Sequence, residues 1–382
     1  MFLKSLLLRN FRNFTDQKIT FSPRCNLIYG ENAQGKTNLL EAIYFLSTGR
    51  SFRTARLNEA IQKGKSFFYL EAEVVKDGIL QTLKVHFDGK TKRFQYNSTL
   101  YHSFTSLLGI FPSILHAPED IELITGSPLL RRRALNIHLA QEDPLYVRHL
   151  SRYTKALKQR NVLLRSPSKA SLECWDEELS TSAAYLTYAR NQMIEELLPA
   201  FRRYYEEISG KKEKALFSYL PSLPLKNSLS EIKTHYLELL LKNRKKELEY
   251  KTTLFGPHKD DLYFQIDALA AKDFASEGQK RSLSCAFRLS EWERLSKNTE
   301  DALPICIDDF GTQLDPSRKT KLQNTLSHFI QVFFTLPEKI SFKEKLSSYF
   351  KIAEGEVVKE ESIIPQERIE RLSPKESSLF LK

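Results

Sequence analysis

One octapeptide near the start of the chain has the residue types and spacing of a loop that binds phosphate groups. It consists of Gly30, Glu31, Asn32, Ala33, Gln34, Gly35, Lys36 and Thr37. The pattern G-x-x-x-x-G-K-[ST] lets successive backbone N–H groups converge on phosphate oxygens at the N-terminus of a helix. Lys36 is then expected to reach the β- and γ-phosphates of a nucleoside triphosphate, and the Thr37 hydroxyl is expected to bind Mg²⁺. The segment therefore predicts a nucleotide site.

A distant segment supplies the carboxylates that such a loop needs in order to hold a metal ion. Residues 303–307 form an apolar run typical of a buried strand, and the adjacent acids Asp308 and Asp309 follow it. Two adjacent aspartates alone more often form a solvated turn or a helix cap, but the loop at Gly30 favours a metal site. Asp308 is then expected to hold Mg²⁺, directly or through water. Asp309 is placed to orient or deprotonate an attacking water, which makes it the candidate catalytic residue.

A third segment, Ser276-Glu277-Gly278-Gln279, stands immediately before a helical pattern. Its serine hydroxyl and backbone N–H groups can bind an anion, although such a segment by itself is most often a helix N-cap. Leu314-Asp315 follows the paired acids a few residues later. The phosphate loop, the Ser-x-Gly-Gln signature, the acidic strand end and the Leu-Asp pair resemble, in this order, the ATPase heads of the ABC type.

The elements that must position these groups follow from the hydrophobic periodicity. Residues 1–29 alternate as strands do, and residues 36–47 have the apolar spacing of a helix. The order strand, glycine loop, helix is therefore present around the octapeptide. Between residues 67 and 96, three strand-like runs are separated by Asp-Gly pairs at 77–78 and 88–89. Asp-Gly favours hairpin turns, so these runs predict an antiparallel meander.

The middle of the chain has a different sequence pattern. Helical periodicity dominates residues 128–250, and Gly210 is the only glycine there. Strand-like runs return near residues 252–266, 303–307 and 331–335. Together with the resemblance to ABC-type heads, these patterns predict an α/β fold: a P-loop ABC-type ATPase head, with a mixed sheet and an antiparallel meander, plus a mostly helical inserted domain. The predicted divisions are 1–127 (N-terminal part of the head), 128–250 (helical domain), 251–360 (C-terminal part of the head) and 361–382 (charged tail).

The charge of the chain favours polyanionic partners. Among 382 residues the formal net charge is +11, and residues 131–170 hold ten Lys and Arg against two acids. Such an excess attracts nucleic acid or an acidic membrane surface. No apolar run approaches the roughly 18 residues of a membrane span, and no cleavable signal is evident, so a cytoplasmic protein without a membrane partner is expected. The candidate DNA contacts are Arg131, Arg132, Arg133, Arg152 and Lys155.

The positions of the glycines and cysteines give further expectations about the structure. The chain has 13 glycines, about half the number usual for this length, so each is expected where the backbone needs it. Gly355 is assigned, with three others, to an ordinary loop or helix end. Of the four cysteines, Cys25, Cys285 and Cys306 have apolar neighbours and are expected to be buried in a reducing compartment.

Over nearly its whole length the chain resembles the RecF family of bacterial DNA replication and repair proteins, within the SMC-like superfamily of ABC-type ATPase heads. The resemblance is carried by LLLRNFRNF (6–14), YGENAQGKTNLLEAIYFLSTGRSFRT (29–54), HAPEDIELITGSPLLRRR (116–133), LFGPHKDDL (254–262), FASEGQKRS (274–282), ICIDDFGTQLDPSRK (305–319) and QVFFT (331–335). The phosphate loop is common to many families, whereas GSPLLRRR and GPHKDDL are far more specific.

The resemblance implies a role for each matching position. Residues 30–37 bind ATP with Mg²⁺, Arg12 and Asn13 lie beside the nucleotide, and Asp309 stands where the wider ABC class usually has Glu. Ser276, Gly278 and Gln279 complete the phosphate site of a second protomer, with Asp315 in the adjoining D-loop. ATP binding then produces a head-to-head homodimer. As a slow, switch-like, DNA-dependent ATPase, it clamps double-stranded or gapped DNA at double- and single-strand junctions and works with RecR and RecO to load RecA.

The chain departs from the family pattern at a few positions. Glu277 stands where Gln is frequent, Thr312-Gln313 where Ser-Glu is usual, and Leu336 where a second hydroxyl is common. These departures bear on the hydrolysis rate and the dimer strength more than on ATP binding. Residues 116–126 contain no Gln to act as a switch, so Glu119 and Asp120 are the candidates there. His258 is expected to have a structural role.

Two other classes of function share the phosphate loop. A transporter-type ABC subunit needs a transmembrane partner and has no use for GPHKDD or for the basic helices. A nuclease-coupled ATPase of the overcoming-lysogeny type needs a separate acidic nuclease domain, and the residues beyond 336 are too few to form one. A long-armed chromosome-structural protein needs a coiled coil, and the sequence has no heptad run of that length.

Overall fold

The computed structural model describes residues 1–166, 172–210, 213–226, 228–299, 301, 303–311, 314–326, 329–339 and 347–363. The chain divides into two units. The first, here the sheet unit, comprises Met1–Pro118 and Glu300–Lys382, and the second, the helical unit, comprises Glu119–Thr299.

The described part of the chain contains both strands and helices, with the following bounds. The strands are β1 (Phe2–Phe11), β2 (Phe14–Thr20), β3 (Cys25–Tyr29), β4 (Phe68–Lys76), β5 (Ile79–Phe87), β6 (Lys92–Tyr96), β7 (Thr99–Tyr101), β8 (Ile114–His116), β9 (Ala215–Leu220), β10 (Asp261–Ile266), β11 (Leu269–Ala270), β12 (Pro304–Ile307), β13 (Gln331–Leu336), β14 (Ser347–Ala353) and β15 (Glu356–Ile363). The helices are α1 (Lys36–Thr48), α2 (Glu122–Thr125), α3 (Pro128–Ala140), α4 (Pro144–Arg165), α5 (Glu173–Ser209), α6 (Leu229–Tyr250), α7 (Ala271–Phe274), α8 (Glu277–Thr299) and α9 (Pro316–Leu326).

The sheet unit contains an antiparallel sheet with the strand order β2-β1-β4-β5-β6-β7. The predicted meander is its β4-β5-β6 part. Asp77 (φ 51°) and Gly78 (φ 75°) join β4 to β5, and two consecutive residues with positive φ are what a tight type I′ hairpin requires. The alternating burial of β4 places one face of this sheet against the core.

The second sheet of this unit has the order β15-β14-β3-β13-β12-β8, and every neighbouring pair except β14 with β15 is parallel. Strands β3, β12 and β13 are buried throughout, as expected for a parallel sheet covered on both faces. Helix α1 belongs to one apolar core with residues of both sheets. Because parallel strands end at the same edge, the loop after β3 and the acids after β12 are brought together.

The helical unit is built around α5, which packs against α4, α6 and α8, with a small sheet of order β11-β10-β9. Buried ion pairs join its elements. Arg160 donates hydrogen bonds to Asp176 (2.6 Å) and Glu247 (2.6 Å), and Arg190 donates one to Asp260 (2.7 Å). Arg160 of the basic segment (residues 131–170) is therefore inside the unit, where a buried charge must be paired.

The mixed sheet, the meander and the mostly helical insertion agree with the predicted fold class. The prediction grouped residues 251–299 with the head, whereas the contacts place them in the helical unit. The physical reason is that β10 pairs with β9 and α8 packs along α5. Of the predicted tail, residues 361–363 end β15, and residues 364–382 lie outside the described residues.

Two further expectations from composition can be compared with the structure. Cys25, Cys285 and Cys306 are buried, as predicted, and Cys174 is exposed. Burial raises the pKa of the Cys285 thiol to about 12, so this thiol stays protonated at neutral pH. Within the described part of the chain, no helix is long and apolar enough to cross a membrane.

Candidate functional site

The octapeptide forms the connection between β3 and α1, in which the backbone turns sharply. Gly30 (φ 148°), Ala33 (φ 65°) and Gly35 (φ 120°) have positive φ. A Cβ on Gly30 would lie 2.3 Å from the Ile352 carbonyl oxygen, so only glycine fits there. The Gly35 carbonyl accepts the first helical hydrogen bond, from the Leu39 N–H (3.1 Å), and the loop therefore leads directly into the N-terminus of α1.

Lys36 is buried, and its side chain folds back over the loop. Its Nζ donates hydrogen bonds to the carbonyl oxygens of Gly30 (2.6 Å) and Glu31 (2.7 Å). Burial lowers the pKa of the Lys36 ammonium, and the carboxylates of Asp309 and Asp308 partly oppose this effect. A cation thus lies inside the loop, with two acids close enough to act on it electrostatically.

Asp308 lies at the end of β12, where two hydroxyl groups meet its carboxylate. Thr37 Oγ1 is 3.0 Å from Asp308 Oδ1, and Thr335 Oγ1 donates to the same oxygen at 2.6 Å. The Asp308 N–H donates to the His116 carbonyl (2.8 Å), which holds the strand end in place. The Thr37 hydroxyl and the Asp308 carboxylate are therefore adjacent, as the predicted Mg²⁺ ligands must be.

The Thr37 hydroxyl and the Asp308 carboxylate are suitable ligands for a Mg²⁺ ion whose remaining ligands are phosphate oxygens and water. Mg²⁺ is usually held by one or two carboxylates together with substrate phosphates rather than by a cage of protein ligands. The described residues contain no cluster of three or more His, Cys, Asp or Glu side chains that could hold a metal by themselves.

Asp309 follows in a left-handed backbone conformation (φ 48°). Its N–H donates to Thr335 Oγ1 (2.7 Å), and the next N–H, of Phe310, donates to the Thr335 carbonyl (3.0 Å). Thr335 thus connects both aspartates to β13. It was not among the predicted site residues, and its signals in the sequence are its place at the end of QVFFT (331–335), which carries the family resemblance, and a hydroxyl near the end of an apolar strand.

Asn13 and Arg12 lie beside the loop but have different environments. Asn13 Nδ2 donates to the Gln34 carbonyl (2.8 Å), and Asn13 Oδ1 accepts from Asn38 (2.7 Å), so Asn13 borders the loop directly. Arg12 donates to both carboxylate oxygens of the buried Glu41 (2.8 and 2.6 Å). The guanidinium of Arg12 is therefore held against α1 by an ion pair.

The predicted signature lies in the helical unit, at the start of α8. The Ser276 N–H donates to Gln279 Oε1 (2.6 Å), and the Gln279 N–H donates to Ser276 Oγ (3.3 Å). This reciprocal arrangement is a capping box. Gly278 lies between these residues, in the first turn of α8.

Asp315 precedes α9 in the sheet unit. Its carboxylate accepts a hydrogen bond from the Arg318 N–H (3.0 Å), which lowers the pKa of Asp315. The carboxylate thus caps α9. Thr312 and Gln313, which depart from the family pattern, lie outside the described residues.

The five predicted DNA contacts differ in their exposure. Arg131 is buried and paired with Asp261 (2.5 and 3.0 Å), and Arg132 donates to the Asp260 carbonyl (2.8 Å). Arg152 forms a two-point ion pair with Glu178. Arg133 and Lys155 are exposed. The charge pattern alone did not separate the exposed cations from those that join elements of the helical unit.

The structure also shows the surroundings of three further residues that the sequence analysis singled out. Asp120, a candidate switch residue, forms a two-point ion pair with Arg288 of α8 (2.6 and 3.0 Å), and Glu119 precedes it in a 3₁₀ turn. His258 has both ring nitrogens engaged, with the Tyr153 hydroxyl (2.5 Å) and the Thr253 carbonyl (3.1 Å). Burial lowers the pKa of His258 to about 4. These contacts fit the structural role expected of His258.

The two-sheet core around α1, the phosphate loop and the acids at the neighbouring strand end define an ABC-type ATPase head. The SMC head, solved bound to the C-terminal winged-helix domain of ScpA, has the same fold, with a TM-score of 0.57 at 14% identity over 97% of this chain and 100% of that chain. The model of the RecF/RecN/SMC N-terminal domain matches residues 2–354.

Closer similarities are found to individual RecF proteins. The DNA replication and repair protein RecF of Protochlamydia amoebophila (strain UWE25) is 44% identical over 88% of this chain and 94% of its own length. The RecF of Chlamydia caviae is 40% identical over 84% and 88%. The structure of the recombination mediator protein RecF with ATPrS in the RecFOR pathway has a TM-score of 0.85 and 33% identity, over 93% of this chain and 97% of that chain. The chain belongs to the RecF family.

Proposed function

We propose that this chain binds ATP together with Mg²⁺ and hydrolyses it slowly, as a switch that controls DNA binding. The observation that carries the proposal is the meeting of three groups at one sheet edge. These are the Lys36 ammonium inside the loop, the Thr37 hydroxyl and, 3.0 Å from that hydroxyl, the Asp308 carboxylate. The similarity to RecF structures described with ATP and with ATPrS supports ATP as the nucleotide.

Each residue has a role that its position allows. The N–H groups of the loop and the Lys36 ammonium bind the phosphates, and Thr37 and Asp308 hold the metal. When bound, Mg²⁺ neutralises charge on the β- and γ-phosphate oxygens. Asp309 orients the attacking water or accepts its proton. Thr335 positions both aspartates through its hydroxyl, which donates to Asp308 and accepts from the Asp309 N–H.

The signature residues Ser276, Gly278 and Gln279 act on the nucleotide of a second protomer. The capping box orders the first turn of α8, and the positive end of the helix dipole at this turn favours an anion there. ATP is therefore required for a head-to-head homodimer. This part of the proposal rests on the family resemblance and on the ordered start of α8.

Sedimentation velocity with and without ATP and a gapped duplex tests the switch. We expect a monomer without nucleotide, a dimer with ATP and Mg²⁺, and a larger complex when gapped DNA is added. A Ser276→Arg variant should bind ATP as the wild type does but remain monomeric, because the bulky cation blocks the second phosphate site. A wild-type chain that binds ATP and stays monomeric would contradict the switch.

DNA binding is assigned to the exposed side of α4. The cations of α4 that are exposed and lack the ion pair of Arg152 are Arg148, Lys155, Lys158 and Arg165. Their spacing places them within an arc of about 100° on the helix, and no carboxylate in the described residues forms an ion pair with them. Such a row neutralises DNA phosphates without reading base sequence. The names of the relatives, which describe DNA replication and repair proteins, support DNA as the polyanion.

Charge reversal on α4 should flatten the salt dependence of DNA binding. Replacing Lys155 and Lys158 together by Glu should lower the slope of log K against log salt by about 2, because each lost phosphate contact removes about 0.9. Fluorescence anisotropy with a labelled gapped duplex measures the slope. Arg152 is a poor probe, since a glutamate there would face Glu178 and destabilise the helix pair.

The matched control is the double variant Lys63→Glu with Lys65→Glu, at two exposed lysines of the sheet unit. It changes the net charge as much as the double α4 variant does. We expect this control to keep the wild-type slope. An unchanged slope in the double α4 variant would place the DNA surface elsewhere.

In the cell, this activity fits recombinational repair and replication. The dimer clamps duplex DNA at gaps and at junctions of double and single strands. It acts with RecR and RecO so that RecA is loaded, which also places it in the SOS response. The site of action is the cytoplasm. These roles follow the family resemblance and the DNA-binding proposal above.

A further inference from the structure

The turn between β14 and β15 lies against the phosphate loop, although no motif marks it in the sequence. The Gly355 N–H donates to the Gln34 carbonyl (3.0 Å), and the Glu354 N–H donates to Gln34 Oε1 (2.6 Å). Both turn residues have positive φ, 50° at Glu354 and 81° at Gly355. Gly355 is therefore not the ordinary loop glycine that the sequence suggested.

The contact is too close for a larger residue. A Cβ on Gly355 would lie 2.2 Å from the Asn13 carbonyl oxygen, far inside van der Waals contact. Asn13 in turn donates to the Gln34 carbonyl through Nδ2 (2.8 Å). The Gln34 carbonyl thus accepts two hydrogen bonds, one from the turn and one from the segment between β1 and β2.

These two bonds determine where one phosphate donor points. The Gln34 carbonyl and the Gly35 N–H belong to the same planar, trans peptide group, so they point in opposite directions. When the carbonyl is held toward Gly355 and Asn13, the Gly35 N–H is directed away from them, to the other side of the loop. Orientation of this peptide before the ligand arrives reduces the conformational entropy lost on binding.

We propose that the β14–β15 turn is a positioning element of the phosphate loop, which acts through the Gln34 carbonyl on the Gly35 N–H. Gly355 and Asn13 are its positioning residues. The proposal rests on the proposed nucleotide site and adds residues that orient the loop. Nucleotide affinity then depends on a turn that is remote from the loop in sequence. Glu354 and Gln34, which are joined by a hydrogen bond, are 320 residues apart.

The test compares Gly355→Ala with Gly64→Ala. Gly64 has nearly the same backbone angle (φ 82°), but nothing lies within 4 Å of its Cβ position. Both substitutions add the same backbone strain, and only the first displaces Asn13 and the loop. Calorimetric titration with ADP and with ATP, each with Mg²⁺, should give an affinity about tenfold lower for Gly355→Ala, equivalent to about 1.4 kcal/mol. Gly64→Ala should retain the wild-type affinity.

Two measurements separate positioning from a loss of stability. Affinities are measured well below the melting temperature of each variant, so that unfolded protein does not contribute. Asn13→Ala should also weaken binding, and the double variant should lose less than the sum, because both residues act on one carbonyl. A Gly355→Ala protein that melts earlier yet binds nucleotide as the wild type does would overturn the proposal.

If Gly355→Ala does not fold, Asn13→Ala alone decides the question, because it removes one of the two hydrogen bonds to the Gln34 carbonyl while the Gly355 backbone is left unchanged. We expect a several-fold loss of affinity, and an unchanged affinity would overturn the proposal. Failure of the nucleotide site itself looks different: the wild-type chain would then bind no nucleotide. Failure of the positioning proposal alone leaves wild-type binding intact.

Discussion

Lys36→Ala should weaken nucleotide binding at least thirtyfold, by roughly 2 kcal/mol or more, the largest effect on nucleotide affinity that we expect from a single substitution. The ammonium lies inside the loop, buried, with Nζ 2.6 and 2.7 Å from two loop carbonyls. Its removal leaves the phosphate charges without their cation in a partly desolvated site. Truncating one partner of such a buried charge pair costs about 2–5 kcal/mol, which corresponds to a roughly thirtyfold to several-thousandfold weaker affinity.

Calorimetric titration with ATP and Mg²⁺ measures this loss. Lys63→Ala is the matched control, because Lys63 is an exposed lysine of the same unit and its removal changes the net charge equally. Lys36→Met keeps most of the side-chain length without the charge and distinguishes lost packing from lost charge. Unchanged ATP affinity in the Lys36 variants would remove the basis for the site, whereas loss of affinity in Lys63→Ala would indicate a general charge effect.

Asp309→Asn should have the largest effect on the rate of ATP hydrolysis, a strong decrease with ATP binding retained. Asparagine keeps the size of the side chain and tolerates the left-handed backbone (φ 48°). The bond from the residue 309 N–H to Thr335 also remains, because it is a backbone bond. What is lost is the carboxylate that accepts a proton, and general-base catalysis typically contributes 10²–10⁴-fold. Single-turnover hydrolysis of radiolabelled ATP therefore measures the expected decrease.

The neighbouring aspartate provides the matched comparison. Asp308→Asn should weaken the Mg²⁺-dependent part of ATP binding, since its carboxylate lies beside Thr37. Asp309→Asn should instead bind ATP and form the dimer as the wild type does, and the dimer should persist because hydrolysis is slow. A monomeric Asp309→Asn protein with full ATPase activity would contradict the role of Asp309.

The core of the candidate site could be predicted because each part is contiguous in sequence. The octapeptide and the acidic strand end are local patterns, and their strand and helix neighbours are evident from hydrophobic periodicity. The predicted closeness of the two parts also follows from a general rule, since parallel strands end at one edge of a sheet. The Thr37–Asp308 distance of 3.0 Å agrees with that expectation across 271 residues of sequence.

Charge pattern was a weaker guide to side-chain roles. Arg131, Arg152 and Arg160 belong to the same basic segment as Lys155, yet the three arginines are held by carboxylates from distant parts of the helical unit. The partner of Arg160 in α6 is 87 residues away. A sequence lists such charges without their partners, and so cannot distinguish a paired cation from an exposed one.

What the sequence by itself determined is the class of chemistry: a phosphate loop, a hydroxyl and carboxylate for Mg²⁺, and a second carboxylate for water. Only the tertiary structure decided how the loop is supported. Thr335, Asn13 and Gly355 approach the site from three different segments. The family resemblance placed Asn13 beside the nucleotide, but the contacts that each of the three makes at the site are not evident from the sequence. The physical reason is that their contacts are made by chain topology: β13, the connection between β1 and β2, and the β14–β15 turn converge on a loop that is remote from each of them in sequence.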